Sequence, residues 1–263
     1  MNPISTLFNN PVLDLDRLQK VEAMPEPRSR YIIAITPRSG STYLCDIMKK
    51  TRRLGTPEEM LGLLSLPGKL KNIPGRTPDE YIRNAVRVKR TANNISGLKA
   101  SWFQFQNFTA AMHDQAYLSG FKYIYLTRRD LAAQAVSLYK ATASSVFHTN
   151  KQHSEQELNQ LNALEYDYDA IKSWYDHIVV QEKGWQHYFY KNRIFPLCLS
   201  YEDIEDDVLV VLKRIADYIG VKPENISIPE EPSAFTKISD HRNAEWSRRF
   251  TLEYGLMNEA TAG

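Results

Sequence analysis

The segment with the densest chemistry is Thr36-Pro37-Arg38-Ser39-Gly40-Ser41-Thr42. Ser39, Gly40 and Ser41 are small, so backbone N–H groups there can approach an anion closely. Ser41 and Thr42 add hydroxyl donors, and Arg38 adds a planar cationic fork. The run follows an apolar, β-branched segment, Tyr31-Ile32-Ile33-Ala34-Ile35. It precedes Tyr43–Lys50, where Leu44, Ile47 and Met48 fall at helical spacing. A helix would therefore open onto the same turn, as at many phosphate sites. The loop of nucleoside triphosphatases is excluded, because the first Gly and the Lys of G-x-x-x-x-G-K-[ST] are both absent. A plain strand-to-helix turn is the competing reading.

Three further groups of residues bear on chemistry. Leu126-Thr127-Arg128-Arg129-Asp130 closes an apolar run, and Ser137 follows on the next helix. An Arg at a strand end and a Ser on the following helix can converge on one anion; Arg128 and its neighbour Arg129 both qualify. Glu58-Glu59 supplies a carboxylate to take a proton, and because the two are adjacent they do not both face one cleft. The pair also reads as the acidic opening of a helix over Met60–Leu66. Lys99 closes a short strand, facing either the crevice or solvent. Trp102, Phe103, Phe105 and Phe108 read first as core and second as a ligand wall. The six His are scattered, so no metal-ligand cluster is expected.

These residues need elements to hold them. Strands are predicted at 31–35, weakly at 95–100, strongly at 121–126, and at 193–199, where Pro196 signals an edge or bulge. Helices are predicted at 43–50, 131–142, 166–190 and 207–219, the last stopping at Gly220. Thr77-Pro78-Asp79-Glu80 is a helix start. Residues 1–29 read as an N-terminal arm with one helix over Leu13–Ala23, and 144–160 as a polar loop. The alternation predicts an α/β fold in one domain, 30–263, with a central, mainly parallel sheet flanked by helices. Ligands in such folds bind beyond the carboxyl ends of the strands.

Taken together and in order, the motifs resemble those of sulfotransferases. Thr36–Thr42 resembles their 5′-phosphosulfate loop, Arg128 with Ser137 resembles their 3′-phosphate site, and Tyr201-Glu202-Asp203-Ile204 resembles a Tyr-Glu-Asp hallmark before a late helix. The closer resemblance is to the bacterial carbohydrate sulfotransferases typified by trehalose 2-sulfotransferase. It rests on Gly55-Thr56-Pro57-Glu58-Glu59, Gly97-Leu98-Lys99, Gln134-Ala135-Val136-Ser137 and Arg242-Asn243-Ala244-Glu245-Trp246, and runs from about Tyr31 to Phe250. It implies a P-loop-type sulfotransferase fold and 3′-phosphoadenosine 5′-phosphosulfate (PAPS) as co-substrate, with no metal. The donor would be held by Pro37, Arg38, Ser39, Gly40, Ser41, Thr42, Arg128, Ser137, His241 and Arg242. Glu59 would be the general base, with Arg38 and Lys99 stabilising charge. His241-Arg242 also reads as a surface pair on the last helix. The acceptor would be a carbohydrate or glycolipid hydroxyl, and related enzymes suggest a homodimer. The chain departs from the family where Thr56 replaces a Glu that helps hold the sugar, and where Met60-Leu61 replaces an aromatic pair. Two alternatives stay open: a nucleotide kinase-like phosphotransferase, and a nucleotide-binding protein without turnover.

Composition sets outer bounds. The chain has 263 residues, 43% hydrophobic and 24% charged, as a globular protein does. The net charge of +2 gives no reason to expect nucleic-acid binding, which usually needs a basic face, while a pI near 8.4 leaves room for a local cationic pocket. No apolar run reaches about 18 residues, so no membrane span is expected. Cys45 and Cys198 are too few for a disulfide framework and sit in apolar stretches where buried thiols are common. A reducing, cytoplasmic setting is expected, and the N-terminus lacks a signal-peptide pattern.

Overall fold

The computed structural model describes residues 2–9, 13–147, 154–233, 235 and 241–262, with side chains of the last helix described to 257. Five strands form one parallel sheet in the order β2-β3-β1-β4-β5: β1 Ser29–Ile35, β2 Glu58–Glu59, β3 Ile95–Ser101, β4 Lys122–Thr127 and β5 Leu197–Ser200. The helices are α1 Pro3–Leu7, α2 Leu15–Glu22, α3 Ser41–Lys50, α4 Leu66–Leu70, α5 Pro78–Val88, α6 Trp102–Thr109, α7 Leu131–Ser144, α8 Glu155–Ala163, α9 Tyr168–Lys191, α10 Tyr201–Asp206, α11 Val208–Ile219 and α12 His241–Ala262. The N-terminal arm thus carries two short helices rather than one.

Alternation along the strands divides the core between the two faces of the sheet. Ile32, Ala34, Leu98, Ala100, Tyr123 and Tyr125 face α5, α6 and α9, where Tyr81, Phe105, Phe108, Trp185 and Phe189 complete one cluster. Tyr31, Ile33, Ile35, Ile124, Leu126 and Leu199 face the other way, against Leu44 and Met48 of α3 and Leu212 and Ile215 of α11. Burial on both faces explains why β1 reads as an unbroken apolar run. The aromatic series after Lys99 is mainly core: Phe105 and Phe108 are buried, and the Trp102 ring packs on Trp185. A third cluster joins α7, α9 and α12.

Several expectations need correction. The weakly read strand at 95–100 is a full seven-residue strand, buried and paired on both sides. The polar stretch at 144–160 holds the first turns of α8, which runs on to Ala163 and is opened by a capping box between Ser154 and Glu157; residues 148–153 lie outside the described residues. It reads as loop because none of its side chains is buried, so no apolar stripe marks it. Pro196 lies just before β5, which is an edge strand as Pro196 suggested. Cys198 on that edge is exposed, whereas Cys45 is buried and burial pushes its thiol up to about 11. No helix among the described residues is long and apolar enough to cross a membrane.

Candidate active site

The turn after β1 is conformationally costly. Arg38 sits at φ 66° and Gly40 at φ 77°. The left-handed region costs a non-glycine residue roughly 1–2 kcal/mol, so the fold must hold Arg38 there. Three residues brace the turn. The Gln134 amide on α7 donates to Thr36 Oγ1 (2.8 Å) and to the Pro37 carbonyl (2.6 Å). The Trp185 indole donates to the carbonyl of Ile35 (3.1 Å). The Tyr201 ring lies over Gly40, where a Cβ would come within 2.6 Å of Cδ2.

The helix this turn feeds has an open end. Side chains cap the starts of α2, α5, α6, α7, α9 and α11. No side chain among the described residues caps α3, whose first N–H groups lack intrahelical partners. Together with the helix dipole, that end favours an anion. Ser39 lies within the turn, fully buried, and its hydroxyl has no partner among the described residues. A buried hydroxyl without a partner is costly and fits a site completed by a ligand.

A second cationic group stands beside it. Arg38 Nε donates to Ser137 Oγ on α7 (3.0 Å), and its Nη1 donates to the Phe147 carbonyl (2.7 Å). The Arg128 guanidinium stacks over the Tyr201 ring at 4.6 Å, with Nε buried and without a hydrogen-bond partner among the described residues. Burial, and then the like charge of Arg128, both lower the Arg38 pKa. Arg38 of the turn and Arg128 just beyond β4 bring two guanidinium groups near one another, the complement of a phosphate dianion. Arg38 therefore reaches out of the turn to Ser137 on α7.

Arg129, the other candidate at this strand end, is engaged elsewhere. Its backbone N–H donates to Glu202 (3.1 and 3.2 Å to the two oxygens), and its guanidinium donates to Asp203 (2.6 Å). This accounts for Tyr201-Glu202-Asp203. Tyr201 covers Gly40 and carries Arg128, Glu202 holds the end of β4, and Asp203 closes a capping box with Ser200 while pairing with Arg129. Burial would raise the Asp203 pKa, but the Ser200 hydrogen bonds, Arg129 and Arg214 lower it overall.

The carboxylates lie across the sheet. Glu58-Glu59 opens no helix; the pair forms β2, in register with Leu98 and Lys99. Alternation sends the two side chains to different neighbours. Glu58 meets Lys89 (2.8 Å), Lys69 (3.3 Å) and Lys49 (3.9 Å). Burial would raise its carboxyl, but Lys89 and Lys69 outweigh that and hold it below the usual range. Glu59 meets Lys99 Nζ through Oε1 (3.0 Å) and Gln104 Nε2 through Oε2 (3.0 Å). Buried Lys99 also donates to Thr42 Oγ1 (3.4 Å), so one ammonium spans the carboxylate and the anion turn. Thr56, where the resemblance implied a Glu, donates to the Lys89 carbonyl (2.9 Å).

His241 and Arg242 are placed differently from the turn residues. Arg242 donates to the carbonyls of Leu161, Asn162 and Leu164 at the end of α8 and faces the Trp246 ring, and His241 is exposed. Three contributors to the site are not marked as such in the sequence. Tyr201 and Gln134 sit within the motifs, but only the fold shows what they touch. Gln104 shows a helix-start signal alone, the Ser101-x-x-Gln104 box.

Residues 30–253 match a family model described as Stf0 sulphotransferase. Two curated relatives are trehalose 2-sulfotransferases. That of Mycobacterium tuberculosis is 24% identical over 264 residues, covering 85% of this chain and 94% of that protein. That of Mycolicibacterium smegmatis is 22% identical over 268 residues, covering 86% and 96%. Among solved structures, a sulfotransferase from Alicyclobacillus acidocaldarius aligns with a TM-score of 0.48 at 14% identity, covering 85% of this chain and 92% of that one.

Proposed function

This chain belongs to the Stf0 sulphotransferase family, and on that premise we propose that it moves a sulfuryl group from PAPS to a carbohydrate or glycolipid hydroxyl, with Glu59 as general base. The observation that carries the reading is Lys99, whose ammonium lies 3.0 Å from Glu59 and 3.4 Å from Thr42 of the anion turn. One cation lies between a candidate base and the anion turn, the attacking and leaving sides that in-line transfer must bring together.

PAPS supplies an activated sulfuryl group. Its transfer forms one S–O bond to the acceptor oxygen and breaks the one to the 5′-phosphate. The protein's part is positioning and charge. The open end of α3, with Ser39, Gly40, Ser41 and Thr42, would hold the phosphosulfate. Arg38, Arg128 and Ser137 would hold the 3′-phosphate, with the left-handed turn setting Arg38 between the two groups. Lys99 has three N–H donors, two directed at Glu59 and Thr42, so a third can meet a sulfuryl oxygen. Glu59 takes the hydroxyl proton, a role typically worth 10²–10⁴-fold. The Arg129 ion pair with Asp203 supports Arg128 as the 3′-phosphate ligand.

The test is transfer from ³⁵S-labelled PAPS to a panel of sugars and glycolipids, with Glu59→Gln alongside. Labelled product from the wild type, and a rate at least about 10²-fold lower in Glu59→Gln with PAP (3′-phosphoadenosine 5′-phosphate) affinity retained, is the expected result. Turnover of ATP alone would favour a kinase. Tight PAP binding with no labelled product would favour a nucleotide-binding protein without turnover.

A further inference from the structure

We propose that Gln104 is a positioning residue for the transfer, its amide locked by the capping box of α6 so that it aims the Glu59 carboxylate. The inference rests on the reading of Glu59 as the base.

The amide orientation follows from its partners. The Ser101 backbone N–H can only donate, and it faces the Gln104 oxygen at 3.1 Å. The other end of the amide is therefore the NH₂ group, and it faces Glu59 Oε2 at 3.0 Å. The return bond, from Gln104 N to Ser101 Oγ (3.5 Å), completes the capping box. A motif that normally only starts a helix here presents a donor of fixed direction.

Glu59 needs such a donor. It stands on a two-residue edge strand, its side chain is 45% exposed, and its Oε1 faces the ammonium of Lys99. A lysine is a point charge on a flexible stem and does not set the plane of a carboxylate. A second donor on the other oxygen does. Gly62 lies against the Gln104 amide: a Cβ there would stand 3.1 Å from Nε2, so a larger residue at that position would crowd the donor.

Gln104→Glu separates this role from a structural one. It keeps the Ser-x-x-Glu box and removes the donor, placing a carboxylate against Glu59. The expected result is wild-type PAP affinity and donor KM, with a single-turnover transfer rate about 10²-fold lower, as for a misaligned catalytic group. In a Glu59→Gln background the same change is expected to cost nothing more, since Gln104 acts through Glu59. Gly62→Ala leaves the box intact and crowds the amide from the other side; it is expected to give a smaller loss with the same background dependence. A Gln104→Glu rate within twofold of wild type overturns the inference, as does a deficit that persists in the Glu59→Gln background. A fully active Glu59→Gln enzyme overturns the base assignment itself, a distinct outcome.

Discussion

Replacing Arg128 with Met tests the anion site through binding, independently of turnover. The variant keeps an apolar stem on Tyr201 and removes a guanidinium whose Nε is buried without a hydrogen-bond partner among the described residues. A hydrogen bond to a charged group contributes about 1.5–3 kcal/mol, so PAP affinity is expected to fall about 10- to 150-fold. At a PAP concentration 100 times the wild-type Kd, binding stabilises the wild type by about 2.7 kcal/mol. The same concentration is then between about 10 and 0.7 times the Kd of the variant, which leaves about 1.4 to 0.3 kcal/mol. At roughly 2–4 °C per kcal/mol, a PAP-induced rise of about 5–11 °C shrinks to about 1–6 °C. Without ligand, the variant is expected to melt no lower than wild type, because the like charge of Arg128 already lowers the Arg38 pKa. AMP lacks the 3′-phosphate, so its smaller shift is expected to be unchanged. Thermal melts with PAP and AMP, run alongside Arg129→Met, decide the matter. An Arg128→Met protein with the full PAP shift, or an Arg129→Met protein that alone loses it, refutes the assignment.

Two further outcomes follow from the same contacts. Glu58→Gln is expected to lower stability by roughly 1 kcal/mol at neutral pH, because Lys49, Lys69 and Lys89 lose their shared carboxylate. The folded pKa of Glu58 is depressed, so its contribution is complete above the unfolded value near 4.3 and fades as pH falls through the folded one. The gap between wild type and variant should therefore begin to close as pH falls below about 4.3 and vanish only below the folded pKa, and a pH-independent gap would count against the lysine cluster. Gly40→Ala combines a left-handed backbone with a Cβ 2.6 Å from Tyr201. A loss of about 1–3 kcal/mol is expected, together with weaker PAP binding as Tyr201 shifts beneath Arg128. Unchanged melting and PAP affinity would show that the ring moves aside freely.

Local chemistry makes part of this protein legible from its residues alone. The apolar run at 31–35, the small-residue turn after it and the helical spacing of Leu44, Ile47 and Met48 each carry their own signal, and the structure has β1, the turn and α3 in that order. Thr77 caps α5 through the N–H of Glu80 because that bond spans only three residues. Pairings between distant segments are not legible in this way. Lys99 and Gly97 interrupt an apolar pattern, so β3 reads as weak, yet neighbours on both sides make it a buried strand. β2 is two charged residues long and becomes a strand only because β3 lies beside it. That pairing, not any property of residues 55–61, turns Glu58 toward three lysines and Glu59 toward Lys99. What engages Arg129 is likewise Glu202 and Asp203, more than seventy residues away. A sequence displays residue types and short-range spacing. Which charge meets which across the sheet depends on the register of strands brought together by burial, and only the tertiary structure decides it.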